Sequence, residues 1–192
     1  MCRRDRYYTK RLTNVCLVVD TSGSMRGEKL DAAKTALGAF LAQIKGSQER
    51  IGLVEFSGQV NNVIELEELG RTRDTLDSAI AALNANGDTA LLDGVRTAYQ
   101  RLQERGDKER INAIVAMTDG RENASSVSLN TLVREIQRGN QTGVPVVIFC
   151  IAYGSDADYD TLRAVADASG GQVREGTEQT IRELYKLLSS YF

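Results

Sequence analysis

Short apolar runs alternate with stretches of helical periodicity along most of the chain. Each run is bounded by polar residues and is typical of a strand buried on both faces. The runs are NVCLVV (14–19), IGLVEF (51–56), INAIVAM (111–117) and VPVVIFCIAY (144–153). Between them apolar residues recur every three or four positions, as at Leu30, Ala33 and Leu37, which is the spacing of one helix face. This alternation predicts a doubly wound α/β fold, with a mostly parallel central sheet and helices on both faces.

Two further short strands are predicted at the edges of the sheet. NNVIEL (61–66) follows 51–56 after the tight polar turn SGQV, which predicts a hairpin and therefore one antiparallel edge strand. GGQVRE (170–175) predicts a weak edge strand. A last helix is expected beyond it, with Ile181, Leu184, Tyr185 and Leu188 on one face. With no internal repeat or linker, we predict a single domain over 14–192, preceded by an N-terminal arm or linker remnant over 1–13.

The composition excludes several kinds of chemistry. The chain has 192 residues and no histidine, so histidine-based triads and the usual histidine zinc sites are excluded. The net charge of -2 provides no global field toward nucleic acid or an anionic membrane. No apolar run approaches the ~20 residues of a membrane-spanning helix. The three cysteines lack CxxC spacing, and Cys16 and Cys150 lie within apolar runs, where a free thiol is typically buried. We therefore expect neither nucleic-acid binding nor membrane insertion by this chain.

Polar side chains are concentrated where the predicted parallel strands end. Asp20, Ser22 and Ser24 alternate directly after the first strand, Thr89 precedes a helix, and Asp119 follows the strand 111–117. In a doubly wound sheet the loops after parallel strands meet at one edge, and ligands bind there at the point where strand order reverses. We therefore expect these oxygens to converge, although each motif taken alone is also an ordinary turn or helix cap.

Two carboxylates and three hydroxyls, without nitrogen or sulfur, form a set of hard oxygen ligands. Such a set suits Mg²⁺, Mn²⁺ or Ca²⁺ and disfavours zinc and copper. Small hydroxyls and only two charges favour a compact octahedral ion that retains some water, so Mg²⁺ is the first expectation. The cation would also relieve the repulsion between Asp20 and Asp119.

Three motifs carry a resemblance to a known family. DTSGSM (20–25), GDTALLDG (87–94) and TDGREN (118–123), in this order and at these separations, resemble the von Willebrand factor A domain with its metal-ion-dependent adhesion site. The resemblance extends from about Asn14 to the C-terminus. The segment from IAYGSDADYDTL onward looks most like bacterial members, including those fused to extracellular solute-binding domains. One departure is Asp88, which stands before the threonine where the family tends to have a second glycine.

The resemblance implies a site and a function. Its metal residues would be Asp20, Ser22, Ser24, Thr89 and Asp119, some acting directly and others through water. A carboxylate of Asp or Glu from a partner protein would complete the coordination sphere. The chain would thus be a metal-dependent binding module without enzymatic activity. The candidates for a partner-binding rim are Met25, Arg26, Gln59, Asp88, Arg121, Glu122 and Tyr153.

Two other readings stay open. A Mg²⁺-dependent phosphoryl-transfer or hydrolase domain could use Asp20, but Lys108 precedes a strand, Lys29 lies on the first helix, and no GxxxxGK[ST] or GxGxxG is present. A domain that kept the fold without the metal would serve only as a scaffold. The resemblance favours an extracellular or cell-surface location, while the unpaired cysteines leave a cytoplasmic one open.

Overall fold

The computed structural model describes residues 11–177 together with 180 and 183. Six strands form one sheet: β1 (Thr13–Asp20), β2 (Arg50–Phe56), β3 (Val60–Glu68), β4 (Ile111–Thr118), β5 (Val146–Ala152) and β6 (Gln172–Glu175). The helices are α1 (Glu28–Gln43), α2 (Leu69–Ala82), α3 (Leu91–Arg105), α4 (Leu129–Thr142) and α5 (Tyr159–Asp167), and a 3₁₀ turn spans Gly23–Met25. The last helix expected around 181–188 and most of the arm expected over 1–13 lie outside the described residues.

The sheet has the order β3-β2-β1-β4-β5-β6. Strands β2 and β3 pair antiparallel, and every other neighbouring pair is parallel. The predicted fold class is therefore confirmed, including the antiparallel hairpin at one edge. Strand β5 is shorter than the apolar run 144–153, because Pro145 has no N–H and the Val144 N–H donates to the Gln103 side chain instead.

Alternate residues of each central strand enter two separate cores. Along β1, Val15, Leu17 and Val19 pack with the helices α1 and α2. Cys16 and Val18 face the other way and pack with α3, α4 and α5. All eight residues of β1 are buried, so both faces of the sheet are covered and the long apolar runs have no solvent-facing side.

Strand order reverses at β1, and this places the candidate site. The chain passes from β1 to β2 on one side and later returns to β4 on the other side of β1. In register, Val19 lies opposite Met117, so the carboxyl ends of β1 and β4 are adjacent. Asp20 and Asp119 therefore emerge side by side at the point where doubly wound sheets bind their ligands.

Helix α3 is pressed against the sheet at Gly94, which predicts a clear stability effect. A Cβ at this position would lie 2.8 Å from Phe56 Cδ1 and 3.3 Å from Val18 Cγ1, both fully buried. We expect Gly94→Ala to lower the free energy of unfolding by about 1–3 kcal/mol through overpacking. Gly38→Ala is the matched control, because nothing lies within 4 Å of a Cβ there in α1. Alanine should stabilise that helix by up to about 1 kcal/mol. Urea denaturation measures both changes, and a neutral or stabilising Gly94→Ala would contradict the expectation.

Candidate metal centre

Hydrogen bonds join oxygens from two of the predicted loops. Ser22 Oγ and Ser24 Oγ lie 3.0 Å apart, and Ser24 Oγ donates to Asp119 Oδ1 at 2.7 Å. Ser22 is 1% exposed and Asp119 1%, whereas Ser24 is open to solvent. The site thus has a buried base and one exposed hydroxyl at its mouth.

Asp20 lies at the buried end of this cluster. Its side chain is 0% exposed, Oδ1 accepts from the Ser22 N–H at 2.7 Å, and Oδ2 accepts from the Thr118 hydroxyl. Burial raises the pKa of Asp20, with the nearby charge of Asp119 acting in the same direction, while the hydrogen bonds oppose the shift. Within the described part of the chain no cationic side chain lies at ion-pair distance from Asp20. Its negative charge therefore lacks a direct counter-ion from these residues.

Gly120 leaves space between the hydroxyls of Thr89 and Ser24. A Cβ at Gly120 would lie 3.0 Å from Thr89 Oγ1 and 3.3 Å from Ser24 Oγ. Both hydroxyls thus border one small volume beside Asp119, and that volume exists because residue 120 has no side chain. Thr89 itself is 4% exposed. Ser24, Thr89 and Asp119 therefore lie together around this point, and Ser22 and Asp20 are linked to them through Ser24 and the Ser22 N–H.

Backbone hydrogen bonds fix the three loops relative to one another. The Gly23 N–H donates to Gly87 O at 2.9 Å, which ties the loop after β1 to the segment before α3. The Thr89 N–H donates to Asn123 Oδ1 at 2.9 Å, and the Asn123 N–H returns to Thr89 O at 3.1 Å. This reciprocal pair ties the same segment to the loop after β4. Thr89 is therefore placed by both neighbouring loops.

Lys29 contacts the site from the first turn of α1. Its Nζ donates to Asp119 Oδ2 in an ion pair, with 39% of the lysine side chain exposed and none of the aspartate side chain. From the sequence, Lys29 is predicted only to lie on the first helix, with no role in the site. A lysine in the first turn directly after the DTSGS segment was the available signal.

The donor set fits a small divalent cation. All side-chain donors are oxygens, and an octahedral Mg²⁺ with metal–oxygen distances of about 2.1 Å holds neighbouring ligand oxygens about 3 Å apart. The separations of 3.0 Å and 2.7 Å from Ser24 Oγ to Ser22 Oγ and Asp119 Oδ1 are close to that value. Among the described residues no three acidic, histidine or cysteine side chains form a metal cluster. A metal here would therefore depend on the hydroxyls as well as the two carboxylates.

The predicted rim residues fall into three groups. Arg26, Gln59, Asp88 and Arg121 are exposed, and Asp88 and Arg121 line the cleft beside the predicted metal residues. Met25 and Tyr153 are 0% and 4% exposed, with side chains in the core under α1. Glu122 is half-buried and its two carboxylate oxygens accept four hydrogen bonds from its own loop and from α3. Asp156, which the sequence analysis did not select, also lines the cleft.

Three of the predicted metal residues, Ser24, Thr89 and Asp119, line a cleft of about 360 Å³. Its walls come from the loops after β1, β4 and β5 and from the segment before α3; they include Ser24, Lys29, Thr89 and Asp119. A larger groove of about 660 Å³ lies between α3 and α4, away from this edge of the sheet. We assign the functional site to the smaller cleft, because it contains the converging oxygens at the reversal of strand order.

A doubly wound sheet with carboxylates and hydroxyls at its topological switch point places this chain among the Rossmann-like α/β domains. The comparison with family models makes this specific, because the von Willebrand factor type A domain matches residues 14–186. The chain belongs to this family, as the three motifs predicted. Domains of the family are in general protein-interaction and adhesion modules, and they generally hold a divalent cation at the adhesion site.

Similar proteins come from animals and bacteria. The chain is 32% identical over 171 residues to pig inter-alpha-trypsin inhibitor heavy chain H4, covering 84% of this chain and 18% of that protein. The von Willebrand factor type A structure from Catenulispora acidiphila has a TM-score of 0.76 at 24% identity, covering 93% and 42%. Proximal thread matrix protein 1 from the mussel byssus, with a zinc-occupied metal-ion-dependent adhesion site, has a TM-score of 0.75 at 18% identity, covering 94% and 46%. The chain thus spans less than half of each of these proteins.

Proposed function

We propose that this domain binds a divalent cation through Asp20, Ser22, Ser24, Thr89 and Asp119 and uses it to dock a carboxylate of a partner protein. The observation that carries the proposal is the clustering of the Ser24, Thr89 and Asp119 oxygens beside the space left by Gly120 in an open cleft. Ser22 and Asp20 adjoin this cluster through their hydrogen bonds. In this role the cation supplies positive charge in a partly desolvated groove, and the chain's own oxygens position it. The exposed residues Arg26, Gln59, Asp88 and Arg121 would then supply specificity.

Mg²⁺ is the ion we propose. The ligands are hard oxygens, and because some of the five residues would act through water, a coordination position remains for a partner carboxylate. The mussel neighbour holds zinc at its site, so Zn²⁺ is the competitor to test against Mg²⁺, Mn²⁺ and Ca²⁺. A comparable affinity for Zn²⁺ and Mg²⁺ would remove the expected selectivity while leaving the site itself in place.

Metal binding and carboxylate docking can be tested on the EDTA-treated protein. Calorimetric titration should give one site per chain, and a concentration of 100 times Kd should stabilise the fold by about 2.7 kcal/mol. Acetate then serves as the carboxylate probe, because Mn²⁺ in the site should enhance relaxation of its methyl protons. Acetamide has a similar shape without the charge and should show a smaller effect. The absence of both binding heat and a thermal shift with all four ions would contradict the proposal.

The ion pair between Lys29 and Asp119 supports phosphoryl transfer as the alternative function, since a cation beside an aspartate is a feature of such sites. The burial of the carboxylates favours a binding module instead. Asp20 is 0% exposed with both oxygens engaged, and the side chain of Asp119 is also 0% exposed. Asp20, the nucleophile that this alternative requires, is not among the described residues that line the cleft. Turnover of p-nitrophenyl phosphate under saturating Mg²⁺ that disappears in Asp20→Ala would favour the enzyme.

We propose a cell-surface or extracellular location. The mussel neighbour is, by its name, a matrix protein of the byssal thread. No helix among the described residues has the length and apolarity needed to cross a membrane. Fusion to a further domain, such as a solute-binding domain, stays a prediction. Surface labelling of intact cells with an antibody against this domain tests the location.

A further inference from the structure

Lys29 is the one described cation in direct contact with the candidate metal residues. Its Nζ donates to Asp119 Oδ2, on the oxygen opposite the one that accepts from Ser24. The far end of the side chain also lies against the loop after β5, where a Cβ at Gly154 would be 3.7 Å from Lys29 Cε. The ammonium is thus held between α1, Asp119 and that loop, in the wall of the cleft.

A lysine is electrostatically unfavourable at this point of the helix. Lys29 is the second residue of α1, and the positive end of the helix macrodipole disfavours cations in the first turn. Glu28 and Asp31 in the same turn follow the usual preference for acids. A residue that breaks a local rule beside a site is expected to serve the site. The ion pair with Asp119 offsets the unfavourable interaction of Lys29 with the helix dipole.

The charge of Lys29 changes the balance of the whole site. The carboxylates of Asp20 and Asp119 contribute two negative charges, and Lys29 returns one positive charge. A divalent ion therefore converts the immediate site from a net charge of about -1 to about +1. Without the lysine the loaded site would be neutral. Asp88, Arg121 and Asp156 also line the cleft, but all three are exposed and are screened by solvent.

We propose that Lys29 lowers the affinity of the site for the metal and raises the affinity of the metal-loaded site for a partner carboxylate. Its ammonium competes with the cation for Asp119, which weakens metal binding. The same charge leaves the loaded site positive, which strengthens the attraction for an anionic side chain of the partner. This inference rests on the proposed function, because it concerns the same metal and the same docking step. In this role Lys29 determines specificity for an anionic partner side chain through its charge, without coordinating the metal.

The test compares Lys29→Met with wild type in two titrations at one pH and low ionic strength. We expect Lys29→Met to bind Mn²⁺ about tenfold or more tightly, because one charged hydrogen bond no longer competes for Asp119. Acetate binding to the Mn²⁺-loaded variant, followed by proton relaxation, should weaken severalfold. Lys29→Arg keeps the charge and should stay near wild type in both titrations. Lys45→Met removes an exposed charge elsewhere and should change neither.

Two results would overturn the inference. Equal or weaker Mn²⁺ affinity in Lys29→Met would show that the lysine supports the site instead of competing with the ion. Acetate binding that does not weaken would show that its charge does not assist docking. Lys29→Gln repeats both titrations if Lys29→Met does not fold. These failures are distinct from failure of the proposed function, in which wild type itself binds no metal.

Discussion

Asp20→Asn is expected to stabilise the metal-free protein and, at the same time, to abolish its stabilisation by metal. The carboxylate is 0% exposed and has no described cation at ion-pair distance, so its charge opposes folding when no metal is bound. Asparagine can keep both hydrogen bonds, because its oxygen can accept from the Ser22 N–H and its amide can donate to Thr118 Oγ1. We expect a gain of about 1 kcal/mol or more in metal-free stability. The gain of about 2.7 kcal/mol at 100 times Kd of metal should be lost.

The raised pKa of Asp20 determines how the stability difference between wild type and Asp20→Asn changes with pH. The pKa of Asp20 is raised in the folded state, so the folded protein holds this proton more tightly than the unfolded chain. Stability from this group is therefore present in acid and is lost as pH rises from the ordinary value of 3.8 through the raised pKa. The advantage of Asp20→Asn over wild type should be small in acid and grow with pH. Urea denaturation with EDTA at several pH values measures it.

Asp77 provides the matched control for Asp20. Asp77→Asn removes an exposed acid from α2 and should leave metal binding unchanged. If metal-free Asp20→Asn is less stable than wild type at neutral pH, the hydrogen bonds to the carboxylate outweigh its burial. The prediction that the buried charge of Asp20 destabilises the metal-free protein would then be wrong.

The sequence predicted the place of the site because topology alone determines it. Loops after parallel strands share one edge, so Asp20 and Asp119 were expected at the same edge once the alternation of strands and helices was recognised. Their adjacency also depends on the pairing of β1 with β4, which only the structure provides. Contacts across that edge were beyond reach. Thr118 directly follows the predicted strand 111–117 and had no predicted role, yet its hydroxyl donates to Asp20. Lys29 reads as an ordinary residue of α1, yet it pairs with Asp119.

The rim was harder to predict, because side chains in one loop point in different directions. Met25 stands in a polar segment and Tyr153 ends the apolar run 144–153, and the apolar surface of each side chain is buried against the core under α1. Arg121 and Glu122 are adjacent and look equivalent in the sequence. Only the fold distinguishes them, since Arg121 is exposed whereas the Glu122 carboxylate bonds within the protein. Their roles in partner binding stay predictions.

Glu122→Ala is the second change with a large expected effect. Helix α3 has no side-chain cap from its own N-cap residue, and Glu122 Oε2 accepts from the Leu92 N–H at 2.9 Å instead. The other oxygen accepts from the Ala124 and Ser125 N–H groups at 3.0 Å and 2.7 Å. Removing the carboxylate exposes an uncapped helix end and loosens the loop that carries Asp119. We expect a loss of about 2 kcal/mol in stability, since bonds to a charged acceptor contribute most.

Metal affinity should fall with it, because Glu122 joins the loop after β4 to the start of α3. Thr89 lies just before that helix and Asp119 three residues before Glu122, so the spacing of these two proposed ligands depends on this connection. Glu122→Gln keeps one carbonyl acceptor and should show smaller losses. Urea denaturation and Mn²⁺ titration without any partner measure both effects.

Arg121→Ala separates a positioning role from a partner-binding role at neighbouring positions. Arg121 is exposed, so its removal should leave stability and metal affinity unchanged and alter only binding of a partner. A residue that acts solely by touching a partner cannot change metal binding in the partner's absence. If Glu122→Ala behaves like Arg121→Ala, Glu122 belongs to the rim as first predicted from the sequence. If it lowers both stability and Mn²⁺ affinity, its carboxylate acts by holding Thr89 and Asp119 at the separation that the cation requires.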